Sequence, residues 1–216
     1  MTSSSPLLLA LDTSTSTASV ALFDGQRVVS ETTWLAGREH STRLLVEVQV
    51  GLERIGRAAS DVTGLVVARG PGSFTGVRVA LSVAKGMAAG LGIPLWGVSS
   101  LDVLALAAAS ADLPVRAVLE AGRGRYASGL YKRGVAVEPP RLATLDELIQ
   151  LIQDETLVIG ELGPDARKRL EAESRARLAD PAACLRRAGF LAELGWRMAL
   201  RGEPGEPGLV DALYIS

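Results

Sequence analysis

The chain opens on apolar segments that predict three short strands. Leu7–Leu11 is a continuous apolar run ending at Asp12, as expected of a central strand covered on both faces. After a polar turn, Ala18–Phe23 alternates loosely between apolar and polar positions, and Asp24-Gly25 is a tight hairpin signal that leads into Arg27–Thr33. We therefore expect an antiparallel three-strand meander at the start.

Helical and strand-like segments alternate through the rest of the first half. The first helix is expected to begin at Ser41 or Thr42, because either side chain can cap the free N–H groups. The predicted elements are that helix to about Arg57, a strand over Gly64–Arg69, a helix from about Thr75 to Leu91, a strand over Ile93–Val98 and a helix from Ser99 or Ser100 to Ala109. Three meander strands followed by right-handed helical crossovers define half of an actin-like (ribonuclease H-like) α/β fold.

The second half repeats this order in degraded form after a link at 111–114. Its predicted strands are Val115–Glu120, Tyr126–Tyr131, Val135–Glu138 and Leu157–Gly160, and its predicted helices are Thr144–Gln153, Pro164–Glu173 and Pro181–Arg201. Thr144 and Glu147 have the spacing of a capping box. A short strand-like piece is expected after the loop at 203–208. We predict two related β-β-β-α-β-α halves, residues 1–110 and 111–216.

Composition narrows the class of protein. Of 216 residues, 48% are hydrophobic and 22% charged, and the net charge is −1, values typical of a soluble globular protein. With 23 basic and 24 acidic residues, the chain lacks the excess charge of a general nucleic-acid binder. A local basic group remains at Arg123, Arg125, Lys132 and Arg133, which most simply forms a solvated face. The single cysteine, Cys184, and the lack of a long apolar N-terminal run predict a cytoplasmic protein without membrane contact.

Three stretches of sequence resemble one family. They are Ala68–Ala80 (ARGPGSFTGVRVA), Leu9–Ser14 (LALDTS) and Glu39–Leu45 (EHSTRLL), and they resemble the TsaB (YeaZ) family. The resemblance implies an actin-like (ASKHA) fold and a non-catalytic role in making the tRNA threonylcarbamoyladenosine modification. It also implies a TsaD-like catalytic paralogue and a TsaE-like ATPase as partners, a homodimer when the chain is alone, and only indirect contact with tRNA. The family's short terminal strand is often basic, whereas Leu213–Ser216 carries no basic residue.

The resemblance implies that this chain lost the paralogue's metal site. TsaD-like proteins carry two histidines, one helical turn apart, that bind the catalytic metal, and the matching positions here are Ser100 and Leu104. Leucine cannot ligate a metal, and a lone serine is a poor ligand for a transition metal. His40 is the sole histidine and has no Cys or His neighbour at ligand spacing. We expect no metal, no cofactor and no catalytic residue, which argues against a metallopeptidase.

Two loops keep an alternative open. Asp12-Thr13-Ser14 occupies the position where actin-like kinases place a phosphate loop and a Mg²⁺-organising aspartate. The structural alternative is a turn whose polar groups are satisfied by its own side chains. Gly70–Gly76 precedes a helix, whose free N–H groups could bind an anion such as phosphate. The structural alternative is that the glycines let this helix start close to the sheet. The alternative function is therefore an ATP-dependent phosphotransferase of the actin-like superfamily.

Helix geometry at 100° per residue places the partner surface on the first two helices. Packing of the first helix on the sheet is predicted for Leu44, Leu45, Val48, Leu52 and Ile55. Apolar and small residues of the second helix cover about 220° of arc, about twice what packing on a sheet requires. Helices of the second half could cover the surplus, but the resemblance implies a four-helix bundle with the paralogue. The predicted interface residues are Val46, Val50, Val79, Ala80, Val83, Ala84, Met87 and Gly90.

Overall fold

A computed structural model describes residues 5–37 and 40–215, and the side chains of residues 40–42 lie outside this description. In chain order the elements are β1 (Leu8–Asp12), β2 (Thr17–Phe23), β3 (Val28–Leu35), α1 (His40–Arg54), β4 (Gly64–Ala68), α2 (Phe74–Leu91), β5 (Leu95–Val98), α3 (Ser100–Ala107), β6 (Val115–Glu120), β7 (Tyr126–Lys132), β8 (Val135–Ala136), β9 (Arg141–Ala143), α4 (Leu145–Gln150), β10 (Thr156–Gly160), α5 (Pro164–Glu171), β11 (Ala176–Leu178) and α6 (Ala188–Leu200). Short 3₁₀ turns occur at Ala59–Asp61 and Pro207–Leu209.

The described chain forms two compact units. The first comprises the residues up to Ser99 together with Arg186–Ala212, and the second comprises Ser100–Leu185 together with the residues from Leu213 onward. The first unit has a five-stranded sheet in the order β3-β2-β1-β4-β5. Its first three strands pair antiparallel, and β4 and β5 are added in parallel beside β1.

Helices cover both faces of the first sheet because its central strands are apolar on both sides. Leu9 and Leu11 of β1 share a core with Leu44 of α1 and with residues of α2. Side chains on a strand alternate between faces, so Val66 of β4 points to the other face, where α6 packs. A Cβ at Gly195 of α6 would lie 2.7 Å from Val66, so this glycine lets the helix approach the sheet closely.

The second unit repeats the arrangement with shorter elements. Its sheet has the order β11-β10-β6-β7-β8, and β9 also pairs with β7. The β6–β7 pair is antiparallel, whereas β10 is parallel to β6 and β11 to β10. Helix α3 packs on β6, and the opposite core includes Leu148 of α4 and Leu170 of α5. Each sheet thus joins an antiparallel meander to parallel strands, and the predicted actin-like α/β fold is confirmed.

The division between the units differs from the predicted halves, 1–110 and 111–216. Helix α3 contacts β6, β7 and β10, so the second unit starts at Ser100. Helix α6 contacts all five strands of the first sheet and therefore belongs to the first unit, although it lies near the C-terminus. The predicted pattern gave the order of elements but not the sheet on which each helix packs.

Several predicted boundaries also shift. Helix α1 begins at His40, so Ser41 and Thr42 lie inside its first turn and neither is the N-cap residue; their side chains are outside the described part. Helix α6 begins at Ala188 rather than Pro181. The three-residue strands β9 and β11 were not predicted, because so few residues carry no periodic signal. The strand-like piece expected after the loop at 203–208 is not found among the described residues, since 210–215 form neither helix nor strand. The loop itself contains the 3₁₀ turn at Pro207–Leu209.

None of the helices in the described ranges is long and apolar enough to cross a membrane.

Candidate functional site

The turn after β1 is buried and its polar groups bond to one another. Asp12, Thr13 and Ser14 are each at most 1% exposed. The Oδ1 atom of Asp12 accepts a hydrogen bond from the Ser14 backbone N–H at 2.8 Å and another from the Ser14 hydroxyl at 2.6 Å. One carboxylate oxygen is thus engaged by the turn itself, as in the Asx turn predicted as the structural alternative.

The glycine-rich loop before α2 lies directly against this turn. The Thr13 hydroxyl donates to the Gly76 carbonyl oxygen at 2.6 Å, and the Ser73 N–H donates to the Ser14 carbonyl oxygen at 2.6 Å. A Cβ at Gly72 or Gly76 would overlap the carbonyl oxygen of Ser14 or Thr13, respectively. Both positions therefore require glycine for close approach, which supports the structural interpretation of the loop. Ser73 caps α2 by accepting the Gly76 N–H at 3.3 Å.

The second oxygen of Asp12 is held by an arginine from the far end of the chain. The Nε atom of Arg186 lies 3.0 Å from Asp12 Oδ2, and the side chain of Arg186 is 0% exposed. One terminal nitrogen of Arg186 also donates to Thr15 Oγ1 at 2.7 Å and to the Thr17 carbonyl oxygen at 3.2 Å. The guanidinium therefore neutralises the carboxylate of Asp12, the group that the sequence offered as a candidate organiser of Mg²⁺.

Sequence reasoning missed Arg186. The residue is 174 positions away from Asp12, and its neighbour Arg187 has the same charge. Both arginines lie within the helix predicted over Pro181–Arg201, and nothing in the local sequence indicated that one of them is buried. Arg186 precedes α6, and the Ala188 N–H at the start of that helix donates to the Ser19 hydroxyl at 2.8 Å. The ion pair therefore coincides with the docking of α6 on the sheet.

The outer sides of α1 and α2 carry exposed apolar residues. Val46 is 57% exposed and Gly90 is exposed, while Val50, Val79, Val83 and Met87 are partly buried. Phe74, at the start of α2, was not predicted but is 56% exposed, with the Arg78 guanidinium 3.6 Å from its ring centre. We call this set the α1–α2 surface: Val46, Val50, Phe74, Val79, Val83, Met87 and Gly90.

Two predicted interface residues are not on this surface. Ala80 and Ala84 are fully buried in the core of the first unit, because their side of α2 packs on the sheet. Conversely, Leu45 was predicted to pack on the sheet but is 51% exposed. On an α-helix Leu45 lies 100° from Leu44, which places it at the margin of the buried stripe.

Comparison with known proteins identifies the family. Residues 33–165 match the family model described as TsaD: tRNA N6-adenosine threonylcarbamoyltransferase. The chain is 34% identical to Bacillus subtilis TsaB, named a tRNA threonylcarbamoyladenosine biosynthesis protein, over 73% of this chain and 71% of that protein. It is 43% identical to the Escherichia coli protein of the same name over 45% of this chain and 42% of that protein. The crystallised YeaZ from Pseudomonas aeruginosa superposes with a TM-score of 0.80 at 29% identity, covering 96% of this chain and all of that one.

The chain belongs to the TsaB family. In this TsaB-family chain, the two positions that were predicted to correspond to the TsaD-like histidines lie on α3. Ser100 and Leu104 are both fully buried, and Leu104 packs in the core of the second unit. Within residues 5–37 and 40–215, no group of three or more His, Cys, Asp or Glu side chains is placed to hold a metal ion. The side chain of His40 lies outside the described residues.

The predicted basic group is divided between two places. Arg123 and Arg125 lie in the turn before β7, whereas Lys132 and Arg133 lie at its other end. A seven-residue strand is about 23 Å long. The four side chains are all exposed, but they do not form one patch on this TsaB-family chain.

Proposed function

We propose that this chain is a non-catalytic subunit in tRNA threonylcarbamoyladenosine biosynthesis that binds and supports a TsaD-like catalytic paralogue. Membership of the TsaB family supports the pathway. The observation that carries the non-catalytic role is the buried pair of Asp12 and Arg186. A phosphotransferase needs its carboxylate free to bind Mg²⁺, whereas both oxygens of Asp12 are engaged by protein donors. The alternative phosphotransferase function is therefore disfavoured.

The α1–α2 surface supports the proposed contact with the paralogue. Exposed apolar patches on soluble monomers often mark interaction sites, and Val46 and Phe74 of this surface are each more than half exposed. Phe74, Val79 and Val83 line a shallow depression on α2 that could accept side chains of a facing helix. We propose that the TsaD-like paralogue covers this surface and that a second copy covers it when the paralogue is absent. A TsaE-like ATPase joins the same cytoplasmic complex, and tRNA is contacted only indirectly.

Co-purification with the paralogue tests this proposal. The wild-type chain and a Val46→Glu/Phe74→Glu variant are each co-expressed with the TsaD-like protein of the same genome, and capture is measured. Two charges placed in a desolvated interface should cost several kcal/mol, at least a hundredfold in affinity. The variant should remain folded because both side chains are more than half exposed.

Val135→Glu is the matched control, since Val135 is 68% exposed but lies on β8 of the second unit. It should leave capture unchanged.

A tRNA modification assay tests the non-catalytic role. Modification should require the wild-type chain together with the paralogue, an ATPase partner and threonylcarbamoyl-adenylate, and the wild-type chain alone should hydrolyse no ATP. Equal capture by the double variant would refute the surface. ATP turnover by the lone chain that is abolished by Asp12→Ala would instead support the phosphotransferase.

A further inference from the structure

The second unit contains a cavity of about 350 Å³ at the end of its sheet, where β6 and β10 begin and β7 ends. Its size is within the range of small-molecule sites, about 300–1,000 Å³. Five of its ten lining residues are charged, so it suits a polar ligand rather than an apolar one. The lining residues are Pro114, Arg116, Leu130, Lys132, Glu138, Arg141, Leu151, Gln153, Asp154 and Thr156.

Arg116 is an unusual residue for its position in β6. It is only 2% exposed, and its partner in the neighbouring strand, Val158, is a buried apolar residue of the core. Its NH1 atom donates to the Ser128 hydroxyl at 3.2 Å and to Glu138 Oε1 at 3.0 Å, but its Nε atom has no partner among the described residues. A buried ion pair is seldom more stabilising than apolar residues of similar volume. Stability alone therefore does not account for an arginine beside a cavity.

The wall of the cavity already holds a carboxylate. Glu138 lies between two guanidinium groups, with Oε1 3.0 Å from Arg116 and Oε2 3.2 Å from Arg141. Two guanidinium groups therefore share one carboxylate, which leaves one positive charge of this wall without compensation. Lys132, on the same side of the sheet, adds a third positive charge and makes no ion pair with any described residue.

The carboxylate of Asp154 limits which anions the cavity can bind. Asp154 lines the same cavity and forms no ion pair within the described ranges. Its charge repels polyanions such as nucleic-acid backbones, but its carboxylate accepts hydrogen bonds from an ammonium or hydroxyl group. The charges that lack an ion-pair partner in this cavity are therefore one positive and one negative.

We propose that this cavity binds a small carboxylic acid that also carries an amino or hydroxyl group. The carboxylate of the ligand lies at Lys132, beside the Arg116 and Arg141 guanidiniums, and its donor group bonds to Asp154. This site is separate from the α1–α2 surface and does not depend on the function proposed above.

Calorimetric titration of the full chain tests this site. The probes are the common L-amino acids and L-lactate, together with alaninamide, which lacks the carboxylate, acetate, which lacks the donor group, and inorganic phosphate. At least one amino or hydroxy acid should bind measurably more tightly than alaninamide, acetate and phosphate. Lys132→Met should weaken that binding at least tenfold and Asp154→Asn at least threefold, and neither should unfold the exposed rim.

Lys168→Met is the matched control, because Lys168 is an exposed lysine of the same unit that does not line the cavity. It should leave binding unchanged. The proposal fails if no acid binds, if alaninamide binds equally well, or if Lys132→Met has no more effect than Lys168→Met. Phosphate binding as tight as that of the best acid would also overturn it, because the cavity would then be a general anion site.

Discussion

Arg186 and Arg187 are neighbours in the chain but lie in opposite environments. Arg186 is fully buried against Asp12, while the Arg187 side chain is 54% exposed beside Glu31. A buried charge that loses its partner is strongly destabilising, whereas an exposed ion pair contributes little to the free energy of unfolding. The function of Asp12 therefore depends on which of two adjacent arginines turns inward, and local sequence does not distinguish them.

Replacement of each arginine by methionine should separate these roles. Arg186→Met should lower the free energy of unfolding by about 3–5 kcal/mol, because Asp12 would remain buried without a counter-charge. Arg187→Met should cost less than Arg186→Met, because the Arg187 side chain is half exposed and Glu31 keeps its hydrogen bond from the Gly189 N–H. Urea denaturation followed by circular dichroism measures both. Asp12→Asn combined with Arg186→Met should cost less than the sum of the single changes, and additive costs would mean that the two residues do not interact.

At the scale of elements, the starts of α2 and α4 were predicted closely, and both helices have a side-chain cap. Thr144 and Glu147 form the expected capping box, and α2 begins within one residue of its predicted start because Ser73 caps it. Helix α6 was predicted seven residues too early, since the apolar and basic residues from Pro181 onward resemble a helix but are used for tertiary bonds. Ala80 and Ala84 were misplaced for a related reason: periodicity gives the width of an apolar arc, not the part that faces the sheet.

The capping box of α4 should make that helix sensitive to acid. A hydrogen bond from the Thr144 backbone N–H holds the pKa of Glu147 below its ordinary value of 4.5. Because its pKa is lowered on folding, ionised Glu147 stabilises the folded helix, and this contribution is fully present above the ordinary pKa. It is lost as the pH falls through the pKa of Glu147 in the folded protein. The protection factors of α4 amides against hydrogen exchange, which correct for slower intrinsic exchange in acid, should therefore fall below about pH 4.5 in the wild-type chain. They should fall much less in Glu147→Gln. Identical acid responses in both proteins would contradict this assignment.

At the scale of the whole molecule, the α1–α2 surface should determine oligomeric state. Light scattering of the isolated wild-type chain should give the mass of a two-fold dimer, since a second copy is proposed to cover this surface and two-fold pairing is the commonest symmetry of homo-oligomers. Val46→Glu/Val50→Glu should yield a folded monomer of 22.6 kDa. A variant that stays dimeric would place the self-association elsewhere and leave the paralogue contact to be judged by the capture experiment alone.

The C-terminal position of α6 has a consequence for synthesis on the ribosome. The sheet of the first unit leaves the exit tunnel early, but the helix that covers one of its faces is translated only after the whole of Ser100–Leu185. Domains generally fold as units during synthesis, with the N-terminal one first. Here that order is reversed: the middle of the nascent chain can finish folding while the earlier strands still expose an apolar face. The rate of translation between Val98 and Ala188, and chaperone binding during that interval, should therefore affect the yield of native protein. The effect should be larger than in a chain whose domains are each continuous in sequence.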